Sequence, residues 1–167
     1  MMRNRVLGID PGIAAMGYGF VDENDERLTI IDYGCLSTSA KQATPERLRI
    51  LYLDLTKLIE RYQPSEAAVE LFVARNLKTA LIVGQARGIA ILAAANKGIP
   101  VYEYTPLEVK QNVSGYGRGD KSQIQEMVRI QLGLDSIPQP DDAADALAVA
   151  ICHISKVRFS QLLKRSQ

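Results

Sequence analysis

The chain begins its regular structure with Val6-Leu7-Gly8-Ile9-Asp10-Pro11-Gly12, an apolar run that ends in a carboxylate and a Pro-Gly pair. This pattern predicts a buried strand over residues 6–10 followed by a turn. Two further strands are predicted over residues 17–21 and 28–38, and a charged connection over residues 22–27 joins them. We therefore expect the chain to open with a three-stranded antiparallel meander.

Helices and strands alternate after the meander. Thr44 as N-cap and Pro45 as the first helical residue predict a helix that Pro64 ends. Apolar periodicity then predicts strands over residues 67–72 and 101–104 and helices over residues 76–97, 105–113, 121–132 and 142–157. This alternation predicts an α/β fold, a mixed five-stranded sheet with helices on both faces. In this interpretation residues 1–157 form one domain and residues 158–167 form a basic tail that frays.

Composition narrows the class of protein. A length of 167 residues suits one domain, and 47% hydrophobic residues exclude a disordered chain. The net charge of +1 hides a basic segment, because residues 71–134 carry 8 basic and 4 acidic side chains. Residues 135–155 carry 4 acidic side chains and no basic one. Such asymmetry suits a protein that binds a polyanion through one surface and cations through another. Chance variation of surface charge is the alternative.

Few residues of the sequence indicate where in the cell the protein acts. Cys35 and Cys152 are far apart in sequence, which suggests two free thiols in a reducing cytosol. Residues 1–5 do not resemble a signal peptide. The longest apolar stretch, Ala80–Ala95, contains Gln85 and Arg87, and we judge it too short and too polar to span a membrane. We expect a cytoplasmic protein without a membrane partner.

Acidic residues form the main candidate site. Asp10 follows the first strand, Glu70 lies at the end of an apolar strand, and Asp142 and Asp145 share a face of the last helix. Each aspartate alone has a structural alternative as a turn or N-cap residue, and Asp141 could take the place of Asp142. Glu70 in an apolar strand is costly unless it is paired or binds a cation.

Carboxylates gathered at one point favour hard divalent cations. Oxygen ligands suit Mg²⁺ or Mn²⁺, and the chain has no Cys/His spacing typical of zinc. Two such ions would bracket a phosphodiester and activate water as the nucleophile. The single histidine makes a Ser-His-Asp arrangement hard to build. Metal-dependent phosphodiester hydrolysis is therefore the predicted chemistry.

The order of short motifs resembles the RuvC-type Holliday junction resolvases, which are crossover junction endodeoxyribonucleases. The likeness extends from about residue 5 to residue 155 and includes Leu7–Gly12, Ala68–Glu70, Gly84–Gly88, Val109–Gln111, Gly119–Gln123 and Asp142–Ala148. The resemblance implies a ribonuclease-H-like fold, a homodimer and four catalytic, metal-binding carboxylates at Asp10, Glu70, Asp142 and Asp145. It also implies two Mg²⁺ ions per subunit, paired nicks in four-way junctions during recombination and repair, and the partners RuvA and RuvB.

Basic and aromatic residues complete the predicted DNA surface. The resemblance gives Lys110 and Lys121 as active-site lysines, and Lys121 is the better candidate to stabilise charge on the cut phosphate. An ordinary solvated lysine is its alternative. We also predict DNA contacts by Phe72, Arg75, Lys78, Lys110, Tyr116, Arg118 and Lys121. Tyr116 is otherwise an exposed loop tyrosine, and Arg87 is either a phosphate contact or structural.

Two further predictions concern Phe72 and the helix that follows it. Resolvases of this type have a Phe after the catalytic Glu that wedges against junction bases, but Glu70–Asn76 is one residue shorter than that form. Phe72 is thus either the wedge or a buried strand residue. The helix over residues 76–97 is apolar nearly all round, which predicts burial against a second subunit or, alternatively, wholly within one.

Three other functions compete with junction cleavage. A YqgF-like nuclease acting on RNA would share the fold and the carboxylates. A sugar-kinase or actin-like ATPase opens with a similar motif, but it needs two such domains. A non-catalytic junction-binding module is the third, and uncompensated carboxylates in a DNA groove count against it.

Overall fold

The sheet is built from the predicted meander and two later strands. The computed structural model describes residues 4–25, 27–72, 75–115, 117 and 119–166. Within them the strands are β1 (Asn4–Asp10), β2 (Ala15–Asn24), β3 (Arg27–Ser37), β4 (Glu66–Glu70) and β5 (Val101–Tyr104). The helices are α1 (Thr44–Tyr62), α2 (Leu77–Ala95), α3 (Pro106–Ser114), α4 (Lys121–Gln131) and α5 (Asp141–Arg165).

The strand order is β3-β2-β1-β4-β5. β2 pairs antiparallel with both β1 and β3, whereas β4 pairs parallel with β1 and β5. The crossover from β3 to β4 passes through α1, and the crossover from β4 to β5 passes through α2. The predicted α/β class with a mixed five-stranded sheet is therefore confirmed.

Both faces of the sheet are covered. Successive side chains of a strand point to opposite faces, so Val6 and Leu7 of β1 belong to different cores. Val6 packs with residues of α3, α4 and α5, and Leu7 packs with residues of α1 and α2. The prediction of helices on both faces is confirmed.

Small residues let α5 lie directly on the sheet. A Cβ added at Gly17 of β2 would collide with the backbone carbonyl of Asp142, and one at Gly8 of β1 would collide with that of Ala146. The first turns of α5 are thereby held against β1 and β2, next to Asp10. This approach positions the functional site.

Several predicted boundaries are wrong. Thr44 is the first helical residue of α1 rather than its N-cap, which is Ala43 and has no side-chain cap. β4 ends at Glu70, so Phe72 lies outside the strand. β2 continues to Asn24 because its ladder with β3 extends into the predicted connection.

The last helix differs most from its prediction. α5 continues to Arg165, so residues 158–165 are helical rather than frayed. No Gly or Pro follows Pro140 in the sequence to end the helix. Arg158 also ties the extension to the sheet through an ion pair with Glu23, with 2.8 Å between Nη2 and Oε1.

Two helices, α2 and α5, are long and apolar enough to cross a membrane by length and composition alone. The sequence-based expectation that no stretch qualifies was therefore too strict. Core helices also meet these criteria, and half of the apolar window of α5 is buried inside the protein. The corresponding window of α2 is only 22% buried, so this helix leaves an apolar surface uncovered.

Candidate active site

Asp10 and Glu70 lie side by side at one edge of the sheet. β1 and β4 are adjacent and parallel, with Ile9 opposite Val69, so both strands deliver their last residue to the same edge. The Asp10 and Glu70 carboxyl groups are close enough for one to donate a hydrogen bond to the other when it is protonated. The sheet topology thus joins two carboxylates that are distant in sequence.

Helix α5 adds two aspartates to this pair. Asp10, Asp142 and Asp145 each offer a carboxylate oxygen, and these atoms lie within 4.8 Å of one another. Asp141 instead turns toward α4, where its Oδ2 lies 3.1 Å from Lys121 Nζ and its Oδ1 accepts a hydrogen bond from Gln125. Between the two adjacent residues, the structure brings Asp142 into the cluster and directs Asp141 to the lysine.

Burial and mutual repulsion disfavour negative charge in the cluster. Burial is the main cause that raises the pKa of Asp10 to about 8, and the charges of Glu70, Asp145 and Asp142 add to it. Burial also raises the pKa of Glu70. Asp145 has a pKa raised by burial, with Lys121 acting in the opposite direction. Each of these carboxylates therefore binds a proton or a cation more readily than an exposed carboxylate does.

The donor set fits a hard divalent cation. The cluster offers carboxylate oxygens, and neither Cys nor His contributes to the group found among the described residues. Such oxygens are the ligands of Mg²⁺ and Mn²⁺ rather than of zinc. Asp10, Asp142 and Asp145 are placed to bind one ion together, and Glu70 lies beside Asp10.

A cleft of about 220 Å³ opens beside the carboxylates. It is lined by Glu70, Asp145 and two lysines, Lys110 and Lys121, together with apolar residues of α3, α4 and α5. Lys121 is the first residue of α4, and Asp120 caps that helix by accepting a hydrogen bond from the backbone N–H of Gln123 at 2.8 Å. Both sequence-predicted lysines therefore reach the acidic site.

The remaining predicted DNA contacts have mixed outcomes. Phe72 follows the end of β4 and is 46% exposed, so it is not a buried strand residue. Arg75 and Lys78 are exposed at the start of α2. Tyr116 and Arg118 lie outside the described residues. Arg87 forms a bidentate ion pair with Glu103, at 2.6 Å from Nη2 to Oε1, as its structural alternative requires.

One residue near the site was missed by sequence reasoning. Cys35 lies opposite Gly17 in the β2–β3 ladder, and Gly17 lies opposite Asp10 in the β1–β2 ladder. Burial raises the pKa of the Cys35 thiol, and the negative charges of Asp142 and Asp10 add to the shift. Pairing the predicted meander strand by strand would have placed this thiol near Asp10.

The sequence of this chain is similar to known proteins over most of its length. The family model "Crossover junction endodeoxyribonuclease RuvC" matches residues 6–153. The chain belongs to the RuvC family. A RuvC protein of Alkaliphilus oremlandii is 52% identical over 160 residues, covering 95% of this chain and 98% of that one. A RuvC protein of Chloroflexus aurantiacus is 61% identical over 150 residues, covering 89% and 92% of the two chains.

A solved RuvC structure extends the comparison to the fold. T. thermophilus RuvC in complex with a Holliday junction substrate matches with a TM-score of 0.89 at 35% identity, covering 94% of this chain and 96% of that chain. The predicted ribonuclease-H-like fold is confirmed by this match. The matched family region, which ends at residue 153, contains all four carboxylates of the candidate site.

Proposed function

We propose that this protein resolves four-way DNA junctions by metal-dependent hydrolysis of phosphodiester bonds. One observation carries the proposal: carboxylates from β1, β4 and α5 converge beside a cleft that two lysines enter. Acidic groups alone would repel DNA, whereas acids that hold cations next to lysines attract and orient a phosphate. Membership of the RuvC family, and the junction complex of the T. thermophilus relative, support this substrate.

Each side chain of the site has a distinct task. Asp10, Glu70, Asp142 and Asp145 would hold Mg²⁺ or Mn²⁺, two ions per subunit. When bound, such ions supply an activated water and stabilise the leaving oxygen. Lys121 lies 3.7 Å from Asp145 and donates to the phosphate oxygens on which negative charge accumulates. Lys110 lines the same cleft and would neutralise charge on the DNA strand that enters it.

DNA outside the cut site would be held by the basic residues around the cleft. Arg75 and Lys78 lie at the start of α2, a few residues after Glu70, and contact backbone phosphates without reading sequence. Phe72 is exposed between β4 and α2 and stacks on a junction base. Tyr116 and Arg118 precede Lys121 in the sequence and remain predicted DNA contacts.

A homodimer would supply two such sites. The outer face of α2 carries Leu77, Leu81 and Leu92, which are 74%, 61% and 48% exposed. Gly84 and Gly88 lie on the same stripe, and no atom of the described residues lies within 4 Å of a Cβ added at either. The buried residues of α2 are alanines on the other side, so the described residues leave this stripe uncovered. Two-fold pairing through this stripe buries it and gives paired, symmetric nicks.

The cellular role follows from the substrate. We infer that the protein acts in the cytoplasm, in homologous recombination and DNA repair, and that RuvA and RuvB bring it to junctions. The bacterial RuvC relatives support this assignment. A binding assay with both purified partners on a four-way junction tests it.

A cleavage assay tests the proposed activity. The protein is incubated with a synthetic four-way junction, a duplex of the same sequence and a structured RNA, with and without Mg²⁺. Paired nicks in the junction alone, abolished by a chelator, support the proposal. Asp145→Asn is expected to be inactive, whereas Asp135→Asn, which removes an acid outside the cluster, cuts normally. Equal cleavage of the duplex rejects junction selectivity, and faster cleavage of RNA favours the YqgF-like alternative.

A further inference from the structure

A buried hydrogen-bonded string connects α5 to the start of β4 and to the end of β5. His153 is fully buried on α5, and its Nε2 lies 2.8 Å from Glu66 Oε2 at the start of β4. Its Nδ1 lies 2.7 Å from the hydroxyl of Tyr104 at the end of β5. Glu66, His153 and Tyr104 therefore form one string across three elements.

The chemistry of the three groups indicates which atom donates in each hydrogen bond of the string. A carboxylate only accepts, so the Nε2–H of His153 donates to Glu66, and in a neutral imidazole Nδ1 accepts from the Tyr104 hydroxyl. Burial raises the pKa of Tyr104 to about 12, so its hydroxyl keeps the proton that it donates. The ring of Tyr102 lies against the imidazole at 4.6 Å between centroids. The orientation of His153 is thus fixed by contacts on both ring nitrogens and on the face of the ring.

The distances along β4 and along α5 connect the string to the acidic cluster. Glu66 and Glu70 are the two ends of β4, about 13 Å apart at the rise of a strand. Asp145 and His153 on α5 are about 12 Å apart at the rise of a helix. The helix therefore meets β4 residues at both ends, with a hydrogen bond at one end and the acidic cluster at the other.

Tyr104 ties the same string to Glu70 from the neighbouring strand. It lies opposite Glu70 in the β4–β5 ladder, and its carbonyl accepts a hydrogen bond from the N–H of Leu71 at 2.7 Å. A shift of α5 that broke the His153 contacts would move its aspartates relative to Glu70. Gly8 and Gly17, on which α5 rests, set the height of the helix above the sheet.

We propose that His153, through Glu66 and Tyr104, is a positioning residue that fixes α5 along the sheet and so sets the distances between Glu70 and the aspartates of α5. The inference rests on the proposed function only in taking these carboxylates as the metal ligands. His153 itself touches neither the substrate nor the reacting atoms.

Two substitutions remove the string at different points. His153→Phe keeps a ring of similar shape without nitrogens, and Glu66→Ala removes the acceptor at a position that is only partly buried. Each is expected to lower kcat on a four-way junction about 10- to 100-fold with little change in KM, because small displacements misalign the reacting groups. The affinity of the DNA-free protein for Mn²⁺ is expected to fall about tenfold.

Conservative and destabilised variants separate positioning from stability. Glu66→Gln keeps an oxygen acceptor and is expected to restore wild-type kcat and Mn²⁺ affinity. Ile151→Ala removes a buried side chain of α5 outside the string, so it lowers Tm but leaves both quantities unchanged. Nitrogen-15 spectra of wild-type protein should show that Nε2 of His153 carries a proton.

The outcomes distinguish this inference from the proposed function. Wild-type kcat and Mn²⁺ affinity in both His153→Phe and Glu66→Ala overturn the inference, and if His153→Phe does not fold, Glu66→Ala decides alone. A loss in Glu66→Gln as large as in Glu66→Ala overturns it as well. If wild-type protein binds no Mn²⁺ while the imidazole spectrum is as expected, the proposed function fails instead.

Discussion

Gly17 of β2 lies so close to Asp142 of α5 that a Cβ on the glycine would collide with the aspartate's backbone carbonyl. The first turn of α5 thus depends on a missing side chain on a neighbouring strand. Because the clash would involve backbone rather than a flexible side chain, it could be relieved only by moving the helix.

We therefore expect Gly17→Ala to destabilise the protein by about 3 kcal/mol, as overpacking of a tight contact does. Urea unfolding in the absence of metal measures the change. Mg²⁺-dependent cleavage at a temperature where the variant is folded should also be slower, since Asp142 is displaced. Wild-type stability would show that α5 can shift on the sheet at little cost.

The second prediction concerns two adjacent aspartates. Asp142 belongs to the carboxylate cluster, whereas Asp141 is bound to Lys121 and Gln125 at the surface. Asp142→Asn should abolish single-turnover cleavage, and Asp141→Asn should reduce it by less than about tenfold, since an exposed ion pair is weak. Comparable losses in the two variants would mean that Asp141 also acts in the site.

Lys121 should contribute to the rate rather than to folding. Its Nζ lies 3.7 Å from Asp145 and it lines the cleft beside Glu70. Lys121→Ala is expected to slow cleavage of bound junction about 10²–10³-fold, as loss of a charge-stabilising donor does. Lys57→Ala on α1, an exposed lysine paired with Asp54, is the matched control. Unchanged single-turnover rates in Lys121→Ala would exclude the role.

The raised pKa of Asp10 predicts a pH-dependent stability. Its folded-state pKa of about 8 exceeds the ordinary value of 3.8, so the fold favours the protonated form. Stability from this group is full below about pH 4 and is lost as pH rises toward 8. Mg²⁺ binds the ionised form, so the increase in Tm that Mg²⁺ produces should grow between pH 6 and pH 8.

Asp10→Asn is the control for this effect. The variant cannot ionise at this position, so its metal-free stability should depend less on pH over the same interval. Differential scanning calorimetry at several pH values, with Mg²⁺ or with a chelator, measures both quantities. A Mg²⁺ effect on Tm of equal size in Asp10→Asn would place the ion elsewhere.

The apolar stripe of α2 predicts the oligomeric state. Leu81 is 61% exposed on this stripe, and a charge there would be buried by a partner subunit. Leu81→Glu should convert a dimer to a monomer in sedimentation experiments and stop paired nicking. Leu107→Glu on α3, at 55% exposure, introduces the same change on another surface and should remain dimeric. Dimers that survive Leu81→Glu would locate the interface elsewhere.

The local properties of the chain were readable without coordinates. Asp10, Glu70, Asp142 and Asp145 could be singled out because charged residues at the ends of apolar strands and on one helix face are costly without a purpose. Thr105 and Asp120 open helices near the predicted starts because their side chains satisfy free backbone N–H groups. The alternation of strands and helices predicted the α/β class, and the resemblance to the family pointed to Lys110 and Lys121.

Long-range placement depended on the tertiary structure. Whether Asp141 or Asp142 faces Asp10 depends on the rotation of α5, which is set by its packing on Gly8 and Gly17. The position of Cys35 follows from strand pairing across two ladders. The continuation of α5 to Arg165 includes an ion pair between Arg158 and Glu23 that joins residues 135 positions apart. Sequence determines which groups are costly to bury, but only packing decides which of them meet.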